Sequence, residues 1–280
     1  MTDAEPSTPA RRPRTWFVTG ASRGFGSLWT EAALGRGDRV AATARDTAAL
    51  QPFVDRFGDA VLALALDVTD REAVFSAVRQ AAERFGVLDI VVNNAGYGHF
   101  GAVEELTEDE LRGQMETNFF GTVWVTQASL PIMRAQGHGH LLQVTSEGGV
   151  RAFPGIGAYH ASKWAVEGLS ESLAQEVAAL GIHVTCVEPG PYRTGWLEVG
   201  SRRSAPLPAY ETLRGGDITF ELGDPEATKA AVLRIVDAPQ PPRRVFLGRS
   251  FEAVRREYGE RLAEWERWED VALAAFGPSS

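Results

Sequence analysis

The chain has 280 residues, 44% of them hydrophobic, and a formal net charge of −9. That length fits one large α/β domain, and the apolar content excludes a disordered chain. The acidic balance argues against general binding to nucleic acid or anionic membrane, and no stretch is apolar enough for long enough to span a bilayer.

In chain order, Met1–Arg14 is rich in Pro, Ser, Thr and Arg and reads as a disordered lead-in. Arg11-Arg12 is not followed by the apolar run that an export signal requires. Strands are predicted at Thr15–Thr19, Arg39–Thr43, Val61–Leu66, Leu88–Asn93, His140–Thr145, His183–Glu188 and Arg244–Leu247. Helical patterns fall between them at Gly24–Gly35, Thr47–Phe57, Arg71–Phe85, Glu108–Arg134, Gly157–Leu180 and Pro225–Val236. Several strands are apolar throughout, as strands covered on both faces must be. The alternation predicts an α/β fold with a doubly wound parallel sheet of about seven strands, Rossmann-type, with helices on both faces. Residues 15–280 read as a single domain. Within it, 191–223 has no clean period and reads as a functional loop. Val254, Tyr258, Leu262, Trp265 and Val271 recur at helical spacing, which predicts an amphipathic C-terminal helix over 251–276. Its tryptophans are expected to pack against the body or a partner subunit. Cys186, the only cysteine, lies in an apolar strand, which excludes an internal disulfide. A reducing, cytoplasmic setting is the simplest fit.

The first strand runs directly into Thr19-Gly20-Ala21-Ser22-Arg23-Gly24-Phe25-Gly26 and then a helix. Such glycines permit a tight turn and a close approach of backbone N–H groups to a pyrophosphate, at a helix N-terminus that favours anions. Gly20, Ser22, Arg23, Gly24, Phe25 and Gly26 are therefore candidate cofactor contacts. The second strand ends Ala42-Thr43-Ala44-Arg45. An NAD site usually has an acid where Ala44 stands, to bind the ribose 2′-hydroxyl. Arg45, with Arg23 nearby, suits a 2′-phosphate instead. The reading is NADP(H), with NAD(H) as the alternative if Asp46 supplies the acid.

Tyr159 and Lys163 are spaced i, i+4 near the start of a predicted helix and so share a face. A lysine ammonium beside a phenol stabilises the phenolate and is expected to lower the tyrosine pKa toward neutrality. Ser146 ends a strand at the edge where a parallel sheet borders its ligand crevice, so its hydroxyl is placed to polarise a substrate oxygen.

With these residues in order, the chain resembles the short-chain dehydrogenase/reductase family over nearly its whole length. The resemblance extends to Asp67-Val68 as the adenine-contacting step. It extends to Asn93-Asn94-Ala95-Gly96, where Asn93 supports the sheet and Asn94, Ala95 and Gly96 adjoin the cofactor. It implies a catalytic set of Asn118, Ser146, Tyr159 and Lys163, with Asn118 holding a water in a proton relay and Lys163 contacting the nicotinamide ribose. Pro189-Gly190-Pro191-Tyr192-Arg193-Thr194 resembles the segment that meets the nicotinamide, so Pro189, Gly190 and Thr194 join the cofactor contacts. Hydride exchange between NADP(H) and a carbonyl or alcohol is the implied activity, in a homodimer or homotetramer built on the two long helices. A cofactor-binding regulator without chemistry, and an epimerase or dehydratase of nucleotide-sugars, are the competing classes. The five histidines show no metal-ligand spacing. Glu147 is unexpected beside an apolar pocket; it points away, forms a salt bridge or selects a polar substrate group. Tyr192, Trp196 and Leu197 are candidate walls of the substrate pocket.

Overall fold

A computed structural model describes residues 12–196, 200–214 and 221–277. The strands are β1 (Thr15–Val18), β2 (Arg39–Ala44), β3 (Val61–Ala65), β4 (Ile90–Asn93), β5 (Gly98–Phe100), β6 (Gly139–Val144), β7 (Ile182–Pro189), β8 (Ser201–Arg203) and β9 (Arg244–Leu247). The helices are α1 (Gly24–Gly35), α2 (Gln51–Phe57), α3 (Arg71–Phe85), α4 (Glu108–Met115), α5 (Gly121–Gln136), α6 (Gly157–Val177), α7 (Thr228–Asp237), α8 (Phe251–Arg267) and α9 (Glu269–Phe276).

Among the described residues, seven strands form one sheet in the order β3-β2-β1-β4-β6-β7-β9. Every neighbouring pair in it is parallel. The seven-stranded, doubly wound reading of the sequence therefore holds. Side chains alternate across each strand, so β1 feeds both layers. Trp16 and Val18 join Trp29 of α1 and Val232 and Ile235 of α7 on one face. Phe17 joins Val74 and Val78 of α3, Met133 of α5 and Leu173 of α6 on the other. Asp70 caps α3 by accepting from the Ala73 N–H, and Gly86 ends it in the left-handed conformation. The winding reverses between β1 and β4, which opens a crevice beyond the carboxyl ends of those strands.

Several boundaries depart from the sequence reading. The helix predicted over Glu108–Arg134 is α4, a π-helical turn at Glu116–Phe120, and α5. The helix predicted over 251–276 breaks at Trp268 into α8 and α9. Val254 is buried, but every residue from Glu264 to Gly277 is exposed, so Trp265 and Trp268 do not pack against the body of the molecule. Of the lead-in, Arg12 bonds the Asp89 carboxylate at 2.6 Å and the Arg14 N–H bonds Asp38 at 2.9 Å. Residues 1–11 lie outside the described residues. The loop after β7 carries β8, which pairs with β5 as a separate two-stranded sheet. Leu197, named above as a pocket wall, lies outside the described residues. Cys186 is buried, as read, and burial pushes its thiol pKa up.

Candidate active site

The turn after β1 is built around missing side chains. Gly20 and Gly24 have φ of +65° and +56°, a region that L side chains rarely adopt. A methyl at Gly26 would lie 2.3 Å from the Gly20 carbonyl oxygen and 2.5 Å from Asn94 Nδ2. Asn94 holds the turn to the end of β4: its Nδ2 donates to the carbonyls of Thr19 (2.9 Å) and Gly20 (3.1 Å). The Thr19 hydroxyl accepts from the N–H groups of Asn94 (2.9 Å) and Ala95 (3.0 Å). Helix α1 then begins with no side chain capping its N-terminus. Its first N–H groups have no intrahelical partner by construction, and the backbone around them is bare. This cradle fits a pyrophosphate. The Phe25 ring stacks on Trp29 at 5.4 Å and meets the edge of Tyr192 at 5.2 Å. Tyr192 thus lies against Phe25 and Gly223.

At the end of β2, Ala44 is buried and Arg45 exposed. Asp46, the alternative ribose ligand, accepts from the Ala48 N–H at 2.9 Å and caps the turn at Thr47–Leu50. Asp67 accepts from the N–H and hydroxyl of Thr69 at 3.0 and 2.8 Å. Val68 is buried against Gly121, where a methyl would lie 2.7 Å from its Cγ2. On the opposite rim, Gly190 N–H donates to the Leu247 carbonyl at 2.9 Å. Thr194 faces Gly24: a methyl there would lie 3.6 Å from the Thr194 Cβ.

Three segments bring the catalytic candidates together. Ser146 follows β6; its hydroxyl accepts from Gly148 N–H at 3.0 Å and donates to the Pro189 carbonyl at 3.3 Å. Tyr159 and Lys163 lie one turn apart on α6, with Lys163 Nζ 5.8 Å from the phenol ring centroid. Nζ donates to the Val144 carbonyl at 2.8 Å. Asn118 sits in the π-helical turn, a distortion that recurs at functional sites. Its Oδ1 accepts from Tyr97 N–H at 3.0 Å, and its Nδ2 donates to the Tyr97 carbonyl and the Ser162 hydroxyl, each at 3.0 Å. Ser162 in turn donates to the Tyr159 carbonyl at 2.7 Å. Gly96 lies where these groups meet: a methyl there would sit 3.1 Å from Asn118 Oδ1 and 3.6 Å from Lys163 Nζ.

The electrostatics differ from the sequence expectation. Burial pushes the Tyr159 phenol up to about 12; the Ser146 hydroxyl opposes this and the Glu147 carboxylate adds to it. Burial also lowers the Lys163 ammonium to about 8, while the Glu167 charge raises it. The expected fall of the tyrosine toward neutrality is not found, because burial of the phenol outweighs the Ser146 hydrogen bond. Lys163 Nζ is engaged by the Val144 carbonyl, and the Trp196 ring lies edge-on to Tyr159 with centroids 5.2 Å apart.

Glu147 is nearly buried and lies 3.9 Å from Arg151, which pairs with Glu257 of α8 at 2.5 Å. Of the roles open to it in sequence, the ion network is the one observed. His160, read from sequence as structural or surface and off the catalytic face, is buried in a structural role. The Phe153 N–H donates to its Nε2 at 2.8 Å, so Nδ1 carries the proton and donates to the Gly148 carbonyl at 2.8 Å. His160 thereby clamps the loop that carries Ser146 to α6; adjacency to Tyr159 was its only signal. His99 bonds the Ser204 hydroxyl at 2.9 Å and so ties β5 to the segment after β8. Among the described residues no cluster of three or more His, Cys, Asp or Glu can hold a metal. No described helix is long and apolar enough to cross a membrane.

A parallel sheet with a glycine cradle at its switch point, beside a buried Tyr–Lys pair and a serine, defines a dinucleotide-dependent oxidoreductase. The profile of the family described as short chain dehydrogenase matches residues 14–203, and the chain belongs to that family. It is 42% identical over 276 residues to oxidoreductase BOA17 of Botryotinia fuckeliana, covering 94% of this chain and 99% of that one. A solved short-chain dehydrogenase from Streptomyces avermitilis superposes with a TM-score of 0.89 at 39% identity, covering 95% of this chain and 99% of the other. An alcohol dehydrogenase from Thermococcus sibiricus, solved with 5-hydroxy-NADP, superposes with a TM-score of 0.72 at 28% identity, covering 84% and 96%.

Proposed function

We propose that this protein is an NADP(H)-dependent carbonyl reductase or alcohol dehydrogenase in which Tyr159 is the general acid and base. The observation that carries the proposal is the convergence of Asn118, Ser146, Tyr159 and Lys163 on the crevice that the glycine turn also borders. The cofactor supplies or accepts the hydride at its nicotinamide. Ser146 donates a hydrogen bond to the substrate oxygen and holds it against the phenol. Tyr159 gives that oxygen a proton during reduction and removes one during oxidation. The Lys163 ammonium, released from Val144, offsets the charge left on the phenolate and contacts the nicotinamide ribose. Asn118 braces the Tyr97 backbone and Ser162 behind this pair and holds the water through which the proton is replaced.

Arg45 and Arg23 take the 2′-phosphate, favoured over NAD(H) by the buried Ala44 and by the commitment of Asp46 to its own turn. Gly20, Ser22, Gly24, Phe25 and Gly26 line the pyrophosphate. Asp67 and Val68 adjoin the adenine; Asn94, Ala95, Gly96, Pro189, Gly190 and Thr194 adjoin the remainder. The partner is a small carbonyl or alcohol, and the protein acts in the cytoplasm as a homodimer or homotetramer.

Titration with NADPH and NADH, read by nicotinamide fluorescence, tests the cofactor. NADPH binds more tightly, and Arg45→Ala removes the difference; preference for NADH overturns the assignment. Tyr159→Phe abolishes turnover and leaves NADPH binding largely intact. Near-normal turnover in that variant sinks the catalytic assignment, and binding of neither cofactor favours a protein without this chemistry.

A further inference from the structure

The Trp196 indole occupies a notch made of absent side chains. A methyl at Gly98 would lie 2.2 Å from its Cζ2 and 2.5 Å from its Cη2. A methyl at Gly200 would lie 2.9 Å from the Trp196 Cα. These two glycines are themselves joined, Gly98 N–H donating to the Gly200 carbonyl at 3.1 Å, at the start of the β5–β8 ladder. The indole therefore has sheet backbone behind it. In front it meets the Tyr159 ring edge-on at 5.2 Å, and at its side the Phe100 ring at 5.8 Å. The frame is braced: Arg203 covers Phe100 at 4.6 Å, Arg202 covers Tyr97 at 4.5 Å, and His99 and Glu110 both hold the Ser204 hydroxyl at 2.9 Å. Aromatic pairs in such edge-on contact hold their geometry.

We propose that Trp196 is the specificity-determining residue of this site, a fixed aromatic wall beside Tyr159 that selects carbonyl substrates bearing a flat, unsaturated substituent over those bearing a puckered or branched one. The selection rests on the catalytic reading above. To reach the phenol, a carbonyl group passes along the indole. A planar substituent stacks against that surface at van der Waals distance. A puckered one of the same carbon count has to push the indole back, and the sheet backbone behind Gly98 leaves it no room.

The test compares acetophenone with cyclohexyl methyl ketone, which have the same carbon count and differ in planarity. Wild-type enzyme with NADPH is expected to prefer acetophenone in kcat/KM by about tenfold, roughly the discrimination that one well-shaped apolar contact supplies. Trp196→Ala loses the preference through KM for acetophenone; Trp196→Phe retains part of it. Gly98→Ala, which displaces the indole without deleting it, reproduces the loss. A second readout needs no turnover. The ultraviolet difference titration of the Tyr159 phenol, with the matching Tyr159→Phe protein as blank, moves down by about one pH unit or more in Trp196→Ala as the ring becomes solvated. An unchanged ketone preference in a folded Trp196→Ala, or an unmoved titration, overturns the wall while Tyr159 catalysis stands. Turnover of neither ketone by the wild type, with the titration shifted, overturns the carbonyl-reductase reading and the selector with it.

Discussion

At Gly26 there is no room for a side chain, because the Gly20 carbonyl stands 2.3 Å from where a methyl would be. Overpacking of this kind costs about 1–3 kcal/mol, and the strain falls on the turn proposed to hold the pyrophosphate. Gly26→Ala should therefore weaken NADPH binding by about tenfold to a hundredfold, read by nicotinamide fluorescence. Gly35, at the end of the same helix, has nothing within 4 Å of an added methyl. Gly35→Ala should leave binding unchanged and stabilise the helix by about 0.5–1 kcal/mol. Equal weakening by both substitutions would show that the cradle geometry is not what matters. At this scale the sequence was informative. A Tyr–Lys pair four residues apart, a serine ending a strand and a glycine-rich turn carry their chemistry in residue type and spacing. The clamp made by His160 was not legible, because its partners, Gly148 and Phe153, are backbone groups of a loop that folds back on it.

The elements around the crevice divide by how their hydrogen bonds are made. Strands and helices of the main sheet showed in the apolar runs and periodicity, since parallel strands are covered on both faces. The π-helical turn at Asn118 left no mark, because inserting one residue into a helix changes its hydrogen bonding more than its pattern. The loop after β7 was legible only as irregular, because β8 forms by pairing with β5, far away in the chain. Glu105 fastens that loop. Its carboxylate accepts from the Leu207 N–H and the Arg214 guanidinium, each at 2.7 Å, and from the Ala102 N–H at 2.7 Å. The Leu207 N–H first, then Arg214 and the Ala102 N–H, hold its carboxyl at about 2. A folded value below the unfolded one, about 4.3, contributes stability above that value that is lost as pH falls toward 2. Amide exchange at Leu207, corrected for intrinsic rates, should lose protection as pH drops from 5 to 3. In Glu105→Gln the protection should be low throughout. Protection that stays constant with pH in the wild type would remove Glu105 as the fastener.

Across the whole molecule, the far edge of the sheet holds another charge cluster, in which Glu167 and Glu188 are buried and Arg244 and Glu171 are exposed. Arg244 of β9 lies 3.1 Å from Glu167 of α6, 3.0 Å from Glu171 and 3.6 Å from Glu188 of β7. Burial, reinforced by the Glu167 charge and opposed by Arg244, pushes Glu188 up to about 8. The fold thus favours the protonated acid. That contribution is complete below the unfolded value of about 4.3 and is lost as pH rises through about 8. Glu188→Gln keeps the neutral shape, so its Tm should exceed that of the wild type more at pH 9 than at pH 5. A molecule of this size shifts by roughly 2–4 °C for each kcal/mol. A difference that does not depend on pH would show that Glu188 is ionised throughout. Periodicity and residue type belong to contiguous stretches of chain, so the parallel α/β architecture, the glycine turn and the candidate Ser146, Tyr159 and Lys163 were legible in sequence, whereas Asn118 was singled out by the family resemblance. Packing between distant segments is what puts Trp196 against Tyr159 and Tyr192 against Phe25 and leaves the C-terminal tryptophans exposed. Those placements depend on which distant segments meet, and that is set by strand order and by the space that missing side chains leave open.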